Sequence, residues 1–205
     1  MFIDVVFPDN NEDEFISIAS KLGYNALCFA YKFGSNTNGK YTESIKNRKD
    51  NAKIKLYFGI LANFNEINKA KNNAGLVFAR GSEKNREVLE SSKADILFDL
   101  ETQSRGDFLH HRASGLNHVL CSLANKNRKI IGFSFSSVLN SRNRAQMLGR
   151  ISQNIRLCRK YKVKTLIASF AGNPYEMRSP YDLMSLFEVL GMHHKEAKES
   201  LTGIS

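Results

Sequence analysis

"KIKLYFGILANFNEINKAKNNAGLVFARGSEKNREVLESSKADILFDL", residues 53–100, decides the fold. It holds three short apolar runs, KIKLYFGIL (53–61), GLVFAR (75–80) and DILFDL (95–100). Their apolar residues are nearly continuous rather than alternating, which is how strands buried on both faces read. Between them lie polar segments with helical spacing, one around 63–73 and SEKNREVLESS (82–92), the latter opening with Ser82 as a cap. Strand, helix and strand in this order make parallel neighbours joined by right-handed crossovers.

The same rhythm runs outward in both directions. Upstream, FIDVVF (2–7) is a strand and NNEDEFISIASKLGY a helix capped by Asn10 or Asn11. Glu12, Asp13 and Glu14 in its first turn oppose the helix dipole. Phe15, Ile18, Ala19 and Leu22 form one buried stripe. ALCFAY (26–31) is a second strand, followed by a polar Gly/Asn loop at 34–40. Downstream, SGLNHVLCSLANK (114–126) is a helix capped by Ser114, KIIGFSF (129–135) a strand, and 141–161 a long helix. KTLIASF (164–170) is a strand, and SPYDLMSLFEVLG (179–191) a helix with Ser179 at the cap, Pro180 at its first position and Gly191 just past its end. At least seven strands result. The expected fold is α/β, a small or irregular (β/α) TIM-like barrel in preference to an open doubly wound sheet, with residues 1–205 as one domain.

The chain has 205 residues, 42% of them hydrophobic, enough for a substantial core. No apolar run is long enough to span a bilayer. MFIDVVFPDNNEDEF lacks the features of a signal peptide, so a cytoplasmic location is expected. Cys28, Cys121 and Cys158 are far apart among apolar neighbours and read as buried thiols, not a disulfide or zinc framework.

Charge is distributed unevenly. Net charge is +10, and from Phe108 to Tyr175 there are twelve Lys or Arg residues and no Asp or Glu. The remainder holds 18 basic against 20 acidic residues, so the whole excess lies in one third of the chain. A segregated excess is what a polyanion-binding face requires. On a helical wheel of 141–161, Leu148, Ile151, Ile155 and Cys158 form the core stripe. Arg142, Arg150, Arg156 and Lys160 take the opposite side, with Arg144 and Arg159 flanking and Leu157 outward. Exposed helices ordinarily set Glu four residues from Lys or Arg; this one forgoes such pairs completely.

Catalytic motifs are not evident. The histidines show no H-E-x-x-H spacing, and neither phosphate-binding glycine motif is present. His110 and His111, beside Arg105 and Arg112, read as cationic surface; His118 reads as structural; His193 and His194 read as following a helix end and complementing its dipole. A second class of function, a stand-alone metal-dependent phosphoesterase, would use Asp4, Asp9, Asp99 or Glu101 with His111. A third is a structural protein whose basic face meets an acidic partner.

Four motifs carry a resemblance: "HHRASGLNHVLCSLA", "IGFSFSSVLN", "RAQMLGRISQNIRLCRKYKV" and "SFAGNPYEMRSPYDL". Together with the N-terminal strand and its Pro-Asp ending, they make the chain similar over its full length to the archaeal ribonuclease P protein component 3 family, homologues of the eukaryotic thirty-kilodalton subunit. The resemblance implies a TIM-like barrel related to the polymerase-and-histidinol-phosphatase superfamily. It implies a subunit of the ribonucleoprotein endonuclease that removes the 5′ leader of precursor tRNA. Implied partners are the ribonuclease P RNA, precursor tRNA through the holoenzyme, and protein component 2 with other subunits; no membrane is implied. Metal-dependent members of the superfamily begin with His-x-His on the first strand. Here that strand is Phe2-Ile3-Asp4-Val5-Val6-Phe7, so no catalytic or metal residue and no cofactor is expected in the protein, with magnesium held by the RNA. The expected RNA-binding residues are His111, Arg112, Arg142, Arg150, Arg156, Lys160 and Arg178, the last having Glu176 or Asp182 as an alternative partner.

Overall fold

The computed structural model describes residues 1–34, 45, 48, 52–104 and 106–203; the polar loop expected at 34–40 lies outside them apart from Gly34, as does Arg105. Seven strands, β1 (Ile3–Val6), β2 (Ala26–Lys32), β3 (Lys55–Leu61), β4 (Leu76–Arg80), β5 (Ile96–Phe98), β6 (Ile130–Ser134) and β7 (Thr165–Ala168), pair in chain order. Every pairing is parallel. The described helices are α1 (Glu12–Lys21), α2 (Ile67–Lys71), α3 (Asn85–Ser91), α4 (His118–Lys126), α5 (Phe135–Leu139), α6 (Arg144–Lys160), α7 (Pro180–Val189) and α8 (His194–Ser200). Among the described residues, no helix is long and apolar enough to cross a membrane.

Strand alternation divides the core in two. Ile3, Val5, Cys28, Phe78, Phe98 and Leu166 belong to one cluster, drawn from five strands, that fills the inside of the sheet. Their alternates, such as Val77, Leu97, Ile131 and Ile167, pack outward against the helices. The sheet closes almost completely into a barrel. Between β7 and β1 the backbone ladder is reduced to one bridge, Val6 to Ala171, where the Phe7 N–H donates to the Ala171 carbonyl at 2.8 Å. Below it, the Asp4 carboxylate accepts from the Ser169 N–H and hydroxyl, each at 2.6 Å. At the lower end the Ile3 N–H donates to Leu201. A side chain and the C-terminal segment thus do at this seam what a ladder does elsewhere. The structure is a TIM-like barrel, with seven strands among the described residues.

Several element boundaries differ from those read in the sequence. Helix α4 starts at His118, where Asn117 caps it by accepting from the Leu120 N–H. Ser114 is buried and engaged elsewhere, because its hydroxyl accepts from Gln153 at 2.9 Å. The segment read as 129–161 contains an additional short helix, α5, which begins where β6 ends because Ser134 caps it. Helix α6 then begins after its own cap, Asn143. Ser82 bonds the Lys84 N–H but lies ahead of α3, which starts at Asn85. Helix α7 follows the reading closely. Ser179 caps it, and Gly191 at φ 110 lets the Met192 N–H reach the Phe187 carbonyl and its own N–H reach Glu188. His193 and His194 follow the end of this helix, and the His194 Nδ1 lies 2.7 Å from Glu188 in its last turn. They open α8, and the His193 N–H donates to Glu196 in its first turn.

Candidate nucleic-acid interface

Barrel folds expose their strand ends at one mouth, where enzymes of this architecture place catalysts. Here that mouth is filled by aromatic rings. Phe98 and Phe170 stack with centroids 4.4 Å apart, and Phe7 lies 5.9 Å from each. Arg80 covers Phe98 at 5.3 Å and pairs with Asp99 at 3.1 Å. The other Asp99 oxygen accepts from the Ser137 hydroxyl at 2.5 Å. Burial raises the Asp99 carboxyl above its ordinary value, against the opposing Ser137 and Arg80 contacts.

The carboxylates a phosphoesterase would use do not converge. Asp4 faces the seam, away from the barrel interior, and burial pushes its carboxyl up to about 6 despite its bonds to Ser169. Glu101 is buried against Asn154, whose amide donates at 2.7 Å; burial raises it to about 7. Asp9 is exposed in the loop after β1. His111 stacks on Phe108 at 4.5 Å, on another loop. Among the described residues, no group of three or more His, Cys, Asp or Glu side chains could hold a metal ion.

The basic region centres on α6, whose 17 residues extend roughly 25 Å along the barrel flank. Its buried side comprises Met147, Arg150, Ile151, Asn154, Ile155 and Cys158, rotated from the expected stripe. Leu148 and Leu157 are half-buried against the same core, so Leu157 is not a free outward contact. Arg150 requires a correction. Its expected place on the exposed side is wrong: it is 3% exposed, and it clamps the loop between β5 and α4. Its Nε donates to Asp107 at 2.7 Å, and one terminal nitrogen donates to the carbonyls of Glu101 (2.7 Å) and Ser104 (2.8 Å). The physical reason is that a loop without its own ladder leaves carbonyls needing donors, and a guanidinium fork supplies several at once.

Gln153 and Asn154 extend the clamp to the Ser114 hydroxyl and carbonyl, at 2.9 Å each. Arg112 lies over Gly149 so closely that a Cβ there would stand 2.2 Å from its guanidinium nitrogen. Its nearest acid is Asp107 at 3.8 Å, and 48% of its side chain is exposed. The Asp107 carboxyl lies below its usual value: burial pushes it upward, but the Arg150 and Ala113 hydrogen bonds prevail.

The other expected residues lie on this helix or just ahead of it, except Arg178, which lies between β7 and α7. Arg142, Arg156 and Lys160 are exposed, and neither Arg142 nor Arg156 has a hydrogen bond or ion pair with any described residue. Lys160 stands 5.7 Å over the Tyr161 ring. Arg159 is neutralised by Glu196 at 2.6 Å, an acid far along the chain. Arg178 pairs with neither Glu176 nor Asp182 among the described contacts. It donates to the Tyr175 and Met177 carbonyls and covers Phe135 at 5.3 Å. Sequence reading missed the loop's anchors, Asp107, Gly149, Gln153 and Asn154. The available signal was Arg150 and Asn154 four residues apart, immediately beside Ile151 and Ile155.

The whole chain, residues 1–205, matches the family model described as RNase P subunit p30. The ribonuclease P protein component 3 of Methanothermobacter thermautotrophicus is 28% identical over 90% of this chain and 77% of its own length. That of Methanococcus vannielii is 31% identical over 76% of this chain and 73% of its own. A chain in a cryo-EM structure of archaeal ribonuclease P with mature tRNA superposes with a TM-score of 0.81 at 26% identity, covering 98% of this chain and 87% of that one. Histidinol phosphate phosphatase from Lactococcus lactis, solved with zinc, L-histidinol and phosphate, shares the fold at TM-score 0.66 and 11% identity, over 94% of each chain.

Proposed function

This chain belongs to the RNase P subunit p30 family, and from that membership we propose how it serves ribonuclease P. It is a protein subunit of the endoribonuclease complex that removes the 5′ leader of precursor tRNA, and its partners are the RNA component, tRNA and other protein subunits. The protein supplies a preformed cationic flank, and the RNA with its magnesium ions supplies the chemistry. Protein component 2 is the proposed immediate partner, and the cytoplasm the proposed location.

One observation carries the reading: α6 and its flanks present Arg142, Arg156 and Lys160 to solvent with no acid among the residues from Phe108 to Tyr175. Phosphates relieve the repulsion among these charges, and binding releases counterions. Arg112 and His111 on the clamped loop extend the same surface, and Arg178, between β7 and α7, is a further proposed contact.

Replacing Arg142, Arg156 and Lys160 together by Gln tests this. Each lost phosphate contact should make the slope of log affinity against log salt shallower by about 0.7–0.9. Reconstituted leader cleavage should weaken most at low magnesium. Identical salt slopes for wild type and triple variant would refute the reading and favour an acidic protein partner.

A further inference from the structure

The loop between β5 and α4 ends in an exposed tip, Phe108-Leu109-His110-His111. Phe108 is 61% and Leu109 92% exposed. The tip is ordered by its own bonds: the Phe108 N–H donates to the His111 carbonyl at 2.9 Å, and the two rings stack at 4.5 Å with 23° between their planes. One residue earlier, Asp107 anchors it by accepting from Arg150 and from the Ala113 N–H. A clamped loop that holds an aromatic ring and a leucine out in water has a surface built for contact.

We propose that the Phe108–His111 tip is a stacking platform for an unpaired RNA nucleobase. This rests on the reading that the basic flank meets RNA, and it adds that recognition there includes base faces as well as phosphates. The size of the tip favours this occupant over a protein. One phenyl ring and one leucine offer at most a few hundred Å², well short of the roughly 800 Å² per partner of a stable protein interface. The charge favours it too. Asp107 is engaged by Arg150 and faces Arg112, and no acid follows until after Tyr175. An aromatic face flanked by Arg112 and two histidines matches a nucleotide, whose base carries its phosphates beside it. Base pairs inside a helix have both faces covered, so the platform would discriminate loops and bulges from the interior of a duplex.

The test uses the full chain with two RNA probes of equal phosphate number, a hairpin carrying 2-aminopurine in its loop and a blunt duplex. Wild type should quench 2-aminopurine. Phe108→Ala should weaken hairpin binding about tenfold, the scale of one lost base stack, and leave duplex binding and the salt slope unchanged. Phe108→Leu, apolar but without a ring, should lose as much, whereas Phe108→Trp should retain affinity. Because Phe108 is exposed, all three should melt with wild type. Hairpin binding indifferent to Phe108→Ala, with salt dependence intact, would overturn the platform and leave the RNA reading standing. Salt-dependent binding to neither probe by wild type would overturn both. Unchanged RNA affinity with lost co-elution of another ribonuclease P protein would assign the tip to a protein contact instead.

Discussion

Arg150 shows how one side chain can be taken for an RNA contact and be a loop clamp. Its guanidinium holds Asp107 and two carbonyls with almost no solvent access. Arg150→Gln should therefore destabilise the fold by about 3 kcal/mol, the low end for breaking a buried pair, since Asp107 keeps some water. Arg156→Gln and Lys160→Gln should each stay within about 0.5 kcal/mol. Urea denaturation separates the two classes. Glu101 adds a pH dependence. Its carboxyl, raised by burial to about 7, holds its proton more tightly folded than unfolded. Stability should consequently fall as pH rises from about 4.5 to about 7. Asp4, raised to about 6, acts in the same direction over a lower range. Glu101→Gln keeps an acceptor toward Asn154; it should flatten the curve between pH 6 and 7 and reduce the slope between about pH 4.5 and 6, where the Asp4 contribution remains. A slope between pH 6 and 7 identical to wild type would show that Glu101 titrates normally.

Helix α6 does two jobs with its two sides. One side bonds the β5–α4 loop through Arg150, Gln153 and Asn154, and the other presents cations. Gly149 lies where they meet. Gly149→Ala would put a methyl group into the space of the Arg112 guanidinium, the movable end of a flexible side chain. The helix gains up to about 1 kcal/mol in propensity from the same change. The variant should therefore melt close to wild type and bind RNA more weakly, with Arg112 displaced. A melting temperature lowered by many degrees would show instead that the Arg112 contact holds the loop.

At the scale of the molecule, the plugged mouth predicts no hydrolysis by the protein alone. Phe7, Phe98 and Phe170 fill the mouth, and Asp99 is committed to Arg80 and Ser137. Purified chain with magnesium should leave precursor tRNA intact; turnover that disappears in Asp99→Asn would contradict this. Mixing with protein component 2 should give a larger species in gel filtration, and two unchanged monomer peaks would remove that subunit as the direct partner.

The order of strands and helices was legible because it follows from local chemistry. Runs such as GLVFAR and DILFDL announce doubly buried strands, and caps such as Ser179 and the Gly191 stop act within a few residues. The basic third of the chain and the long C-terminal motifs were equally plain, and they pointed to the family. The role of each cation was not. Arg150 and Arg156 are the same residue type on the same helix, and their difference arises from a loop more than forty residues upstream folding over one of them. The same holds for Arg159 with Glu196, and for Asp4 with Ser169, 165 residues away. Periodicity fixes how side chains are arranged relative to one another around their own helix or strand, but on α6 the buried side is rotated far enough to take in Arg150. Only the closing of the barrel and the docking of its loops decide what waits there, because those partners come from distant chain segments and carry no local trace.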